Sequence, residues 1–168
     1  MRVPLLLALL VTASPVVGLE VSPISVRVEA ISGNQSNRFK HSQSKALKVH
    51  LSNASTADAM GLTLRYFYFG KRVNEGETAV LEKGERKANI PAHATVVVEA
   101  PEIEMAYTEE HGKRTDGKGG RVGRQKNVRY KTVEATGTKV TGYGVQVFSG
   151  KQIVAESFSE PGFKALIR

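Results

Sequence analysis

Residues 141–158 read TGYGVQVFSGKQIVAESF. Two strand-forming runs, 141–148 and 152–158, flank Ser149-Gly150-Lys151, a short glycine-containing turn. That combination predicts a β-hairpin. Pro161-Gly162 closes it and leaves a short tail, 163–168. The same period of two recurs toward the N-terminus. Ile24, Val26 and Val28 alternate with Ser25, Arg27 and Glu29, and Leu47, Val49 and Leu51 alternate with Lys48, His50 and Ser52. Each run predicts a half-buried strand with one wet face. Between them, polar residues 32–44 read as a loop.

Leu62, Leu64, Tyr66 and Tyr68 then share one face, with Thr63, Arg65, Phe67 and Phe69 on the other. The second half of this run is apolar on both faces, as in a central strand, and Gly70 ends it. Residues 71–76 read as a turn, and 78–81 as a short strand closed by Lys83-Gly84. A kinked link over 89–93 leads to the strongly β-forming Val96-Val97-Val98, stopped by Pro101. Ile103, Met105 and Tyr107 continue the alternation weakly, and Val128, Tyr130 and Thr132 suggest one more strand. No window has a sustained helical period. The expected fold is all-β, a single antiparallel sandwich of about seven to nine strands interrupted by one long basic loop.

Tyr143-Gly144-Val145 lies on the penultimate strand, with Tyr66 on the third long strand and Val49 on the second. In this respect the chain resembles disulfide-free immunoglobulin-like or fibronectin-type β-sandwich proteins exported by bacteria. In that family a tyrosine sits two residues before the second core cysteine. The resemblance implies that Val145 and Val49 stand where the two cysteines would be and that Tyr66 is the core aromatic. It also implies an adhesin, envelope module or pilus-associated subunit.

Residues 1–18 have the form of a signal peptide: one positive charge at Arg2, apolar residues 3–11, and a small, helix-breaking stretch ending at Gly18. Cleavage before Leu19 leaves 150 of the 168 residues, one domain of ordinary size. The alternative is an uncleaved anchor, against which the apolar run is shorter than the roughly 20 residues a spanning helix needs. No later segment is apolar enough to span a membrane. Export to a bacterial periplasm, cell surface or medium is the expected destination. The chain has no cysteine, which removes thiol catalysis and Cys-type zinc sites and means that packing alone holds the domain. Asn34-Gln35-Ser36 and Asn53-Ala54-Ser55 are glycosylation sequons in a eukaryotic pathway.

The net charge of +8 is a local property. Residues 111–131 hold Lys113, Arg114, Lys118, Arg121, Arg124, Lys126, Arg129 and Lys131 against the single acid Asp116, leaving the rest of the chain close to balance. Glycines 112, 117, 119, 120 and 123 make 111–127 a long cationic loop, longer than a compact domain normally carries. It would attract anions over a Debye length of about 8–10 Å. Each cation near an anionic surface is worth on the order of 1 kcal/mol. An anionic lipid surface, a glycan or an acidic protein fits; nucleic acid fits poorly, because no stacking aromatic lies within the loop. The bland alternative is a solvated insertion, and a third is a protease-sensitive loop. Its Gly-Lys-Gly-Gly run is not a phosphate-cradling P-loop, which requires a Gly-Lys-Ser/Thr ending and a following helix.

Catalytic and metal candidates are weak. His41, His50, His93 and His111 lack ligand spacing, so no metal or cofactor is expected. Glu102 and Glu104 share a strand face at glycosidase-like separation but read as a solvated pair. Phe67 and Phe69 form a sticky contact stripe if they face outward; the favoured reading covers them as part of a central strand. The expected function is a non-catalytic exported binding or adhesion module of the cell envelope whose basic loop meets an anionic partner. The alternatives are a structural or accessory subunit of a surface assembly such as a pilus, self-associating through strand edges, and an enzyme of unrecognised type.

Overall fold

A computed structural model describes residues 22–115 and 129–167. The expected signal segment and Lys118, Arg121, Arg124 and Lys126 lie outside the described residues. Among the described residues nine strands follow in order: β1 (Ile24–Asn37), β2 (Lys40–Asn53), β3 (Ala59–Arg72), β4 (Thr78–Ile90), β5 (Thr95–Thr108), β6 (His111–Thr115), β7 (Arg129–Val133), β8 (Thr136–Ser149) and β9 (Gln152–Phe158). A 3-10 helix, Pro161–Ile167, ends the described chain. Every strand pair is antiparallel. The chain is therefore all-β. Among the described residues no helix is long and apolar enough to cross a membrane.

Strands β1, β2 and β5 lie side by side, as do β4, β3, β8 and β9. Among the described residues the two groups pair only where the end of β5 meets the start of β8, Tyr107 with Gly137 and Thr108 with Thr136. Elsewhere their apolar faces enclose one core. Leu47, Val49 and Leu51 come from β2, Leu62, Leu64, Tyr66 and Tyr68 from β3, and Val145 and Val147 from β8. These are the alternating residues that the period of two places on one face. Each such side chain removed from water contributes about 1.5–3 kcal/mol. One end of the core is sealed by buried Asn53. Its Nδ2 donates to the Ala57 carbonyl at 2.8 Å, and its Oδ1 accepts from the Ser55 N–H at 3.0 Å and hydroxyl at 2.7 Å.

Three expected breaks are absent. Residues 32–44 are no loop: β1 and β2 pair without interruption from Ile24–Asn53 to Asn37–Lys40, around a turn in which Arg38 has φ 52°. Backbone pairing between polar residues leaves no hydrophobic period to read. Pro101 does not stop β5, because it lies at a bulge opposite Lys45–Leu47, where its missing N–H costs no ladder bond. Its carbonyl accepts the Tyr68 hydroxyl at 2.6 Å. Lys83-Gly84 does not close β4, which runs on to Ile90. Gly84 is paired with Tyr66, whose hydroxyl lies only 2.2 Å from where a Cβ would sit.

One glycine is required by the join itself. Gly137 has φ 98°, and a Cβ there would lie 2.3 Å from the Ala106 carbonyl oxygen. Only glycine allows β8 to approach β5 so closely.

Candidate anion-binding ribbon

The ends of the basic segment form a two-stranded ribbon. In β6 and β7, Lys113 stands directly opposite Lys131, Arg114 opposite Tyr130, and Thr115 opposite Arg129. Lys113 and Lys131 are exposed, and Tyr130 is 69% exposed. Like charges directly across a ladder are unfavourable. The ion pairs formed among the described residues do not include either lysine. An anion brought to this face relieves the repulsion.

Rings and backbone bonds anchor the ribbon to the body. The His111 ring stacks on Phe39 at 4.2 Å, 4° from parallel, and the Arg38 guanidinium lies 5.1 Å from the centre of the same Phe39 ring. The Glu109 N–H donates to the Phe39 carbonyl at 2.9 Å. Beside this stack, His41 packs on Tyr107 at 4.7 Å, and the Lys139 ammonium sits 5.9 Å from the Tyr107 ring. The Glu109 carboxylate lies 3.5 Å from His41 Nε2, on the body side rather than against the ribbon lysines. Further into the body, burial pulls the Lys45 ammonium below its usual pKa.

Of the eight basic residues singled out in the sequence, register brings Lys113, Arg114, Arg129 and Lys131 together; the other four lie outside the described residues. The stacked rings were not apparent as a site. Phe39 and His111 are 72 positions apart in the chain, and only the pairing of β2 with β5 brings them near.

Phe67 and Phe69 are not an exposed stripe. Phe69 is fully buried and Phe67 is 7% exposed; both cluster with Phe163 of the 3-10 helix, and Val80, Phe158 and Ile167 pack against them. Phe163 stacks on Phe69 at 4.6 Å. Gly142 and Gly144 of β8 make room: a Cβ would lie 2.2 Å from the Phe163 ring at the first and 2.5 Å from Phe158 at the second. Lys164 binds Glu156 of β9 and holds that carboxyl below the usual carboxylate range. A groove of about 460 Å³ opens beside Phe67, bordered by Arg65, Lys83, Glu85 and Gln146. Arg65 is already engaged there, with Glu85 at 2.6 Å and over the Phe148 ring at 4.5 Å.

His41 and His111 both lie against Glu109, at 3.5 Å from its carboxylate and 2.9 Å from its carbonyl, whereas His50 lies 3.6 Å from Glu29, and His93, with φ 55°, occupies the turn before β5. Glu102 and Glu104 are both exposed. Among the described residues no three His, Asp or Glu side chains converge on a point where a metal ion would sit.

No protein-family model matches the chain. No curated protein matches it either. Among solved structures it is similar to "X-ray structure of Northeast Structural Genomics Consortium target SoR45", with 13% identity and a TM-score of 0.37, over 84% of this chain and 90% of that one.

Proposed function

We propose that this chain is a non-catalytic, exported binding module of the bacterial cell envelope. Its scaffold is an immunoglobulin-like sandwich, and its basic ribbon and the loop beyond it contact an anionic partner. One observation carries the reading: Lys113 and Lys131 are exposed and directly opposed, on a ribbon held to the body by stacked rings. A two-stranded ribbon is marginal by itself, so an arrangement that adds like-charge repulsion serves recognition better than stability. The immunoglobulin-like part of the reading is supported by Val49 and Val145, both fully buried, and by Tyr66 beside them in the core.

Charge reversal tests the reading. The variant Lys113→Glu/Lys131→Glu is compared with the unaltered chain in co-sedimentation with phosphatidylglycerol vesicles and in retention on a sulfated-glycan column. Salt-sensitive binding that falls at least tenfold in the variant is expected, about 1 kcal/mol for each cation lost near an anionic surface. Equal behaviour of the two proteins on both anions overturns the proposal. The second reading, a structural or accessory subunit of a surface assembly, draws support from the uncharged outer end of β1.

A further inference from the structure

We infer that residues 30–37 of β1 are a self-association edge, to which the same edge of a second copy of this chain adds antiparallel. Among the described residues, β1 is the terminal strand of its side of the sheet and pairs with β2 alone. Its last eight residues are all exposed. An edge strand presents a row of unpaired N–H and C=O groups to any strand that approaches. Eight residues span about 27 Å of such edge at 3.4 Å each.

Folded proteins blunt their edges with charge, proline, bulges or short length. The other edges of this molecule use those devices. β4 carries Glu82, Lys83, Glu85, Arg86 and Lys87 and is bulged opposite Tyr68–Phe69. β9 has seven residues. The inner half of β1 carries Arg27 and Glu29, and its Val26 and Val28 pack against the same core as Val154 and Ala155 of β9. From Ala30 onward none of the devices is present. The sequence is AISGNQSN, without charge or proline, and its register with β2 contains no bulge.

Chemistry selects a second copy as the occupant. When an edge pairs with itself about a two-fold axis, each residue meets another member of the same short set. A charge in that set tends to meet its like, which is unfavourable. Here every member is neutral, and Ser32, Asn34, Gln35, Ser36 and Asn37 each donate and accept hydrogen bonds. Self-pairing is therefore compatible in any register. Because the contact is isologous it closes at the dimer. It does not depend on the basic ribbon, which belongs to a different strand pair.

The test is sedimentation velocity on the full chain as exported, from micromolar to millimolar concentration. The unaltered protein is expected to pass reversibly from monomer to dimer. Ile31→Lys/Gln35→Lys places two cations on one face of the edge and is expected to weaken dimerisation at least tenfold. Mixing it with Ile31→Glu/Gln35→Glu is expected to restore dimers as heterodimers. A monomer at every concentration overturns the inference, as does a lysine variant that dimerises like the unaltered chain. Hydrogen exchange of the unaltered protein gives an independent reading if a variant misfolds. Amides 30–37 should gain protection with concentration. Protection that is already complete in the dilute monomer means the chain's own residues fill the edge, and likewise overturns it.

Discussion

The two ends of this molecule are built on different physics. In the body, Leu47, Val49, Leu51, Leu64, Tyr68, Val145 and Val147 are fully buried, and the strands are held by what lies between them. At the tip, formed by the outer halves of β1 and β2, the end of β5 and the β6–β7 ribbon, the strands continue with hardly any buried apolar side chain. There the sheet rests on backbone bonds, worth about 1 kcal/mol net each, and on ring stacks such as Phe39–His111. The body tolerates few changes of volume, whereas the tip tolerates many changes of chemistry. A surface that must recognise a partner is better placed on the second.

The largest expected effect comes from Leu64→Ala. Leu64 is fully buried between the two groups of strands, so the substitution is expected to cost about 3 kcal/mol from lost transfer energy plus the cavity. At the tip, Ile31→Ala removes a side chain that is 44% exposed and is expected to cost less than about 0.5 kcal/mol. Urea denaturation of both variants measures the contrast. Similar losses in the two would show that body and tip are one cooperative core.

The same division decides how much of the fold was legible in the sequence. Alternation gave away the inner half of β1, the second half of β2, β3 and the 141–158 hairpin, but not the second half of β4, where Ala88 and Ile90 are buried, nor the start of β8 around buried Val140. It failed for residues 32–44, whose pairing leaves no hydrophobic trace, and at Pro101, which punctuates a strand only when its N–H is needed. Phe163 was equally hidden. A lone aromatic in a short tail carries no period, and its place over Phe69 depends on Gly142 and Gly144 being bare. Within the site, the cations were legible as composition. Their face-to-face register, and the rings that anchor them, depended on which strands pair.

Tyr68→Phe probes the join between the two groups of strands. It removes the hydroxyl bonded to the Pro101 carbonyl at 2.6 Å, and is expected to cost about 1–2 kcal/mol by leaving that oxygen without its partner. The phenol also sets an alkaline limit. Burial pushes its pKa well above the usual tyrosine value, with the neighbouring Tyr66, Glu82 and Glu102 adding to the shift. The folded state thus holds a proton that the unfolded chain releases near pH 10. Stability should be undiminished below about pH 10 and fall as the pH rises beyond it. Denaturation midpoints across that range should show a shallower fall for Tyr68→Phe.

A smaller effect is expected at the C-terminal helix. The Lys164 hydrogen bond, opposed by partial burial and aided by Gln146, lowers the Glu156 pKa. The stabilisation is then complete above the unfolded value of about 4.3 and is lost as the pH falls through the lower folded value. Because both groups are partly solvated, Glu156→Gln should cost about 0.5 kcal/mol at neutral pH and nothing in acid. Proteolytic release of residues 161–167 should speed up in the variant at pH 7. An identical rate in both proteins would mean that Phe163 packing alone holds the helix.

Phe39→Ala has the smallest expected effect on global stability and bears most directly on the tip. It removes the ring on which His111 stacks and over which Arg38 lies, yet Phe39 is only half-buried and belongs to no core cluster. The urea midpoint should change by less than about 0.5 kcal/mol, as for surface substitutions elsewhere. The amides of Lys113 and Lys131 should nevertheless exchange faster, because the ribbon then keeps its backbone ladder but loses its stacked anchor. Faster exchange with an unchanged midpoint would establish the tip as a separately opening unit. A midpoint that falls by more than about 1 kcal/mol would place Phe39 among the residues that hold the body together, and the ribbon would then be as rigid as the sheet it leaves.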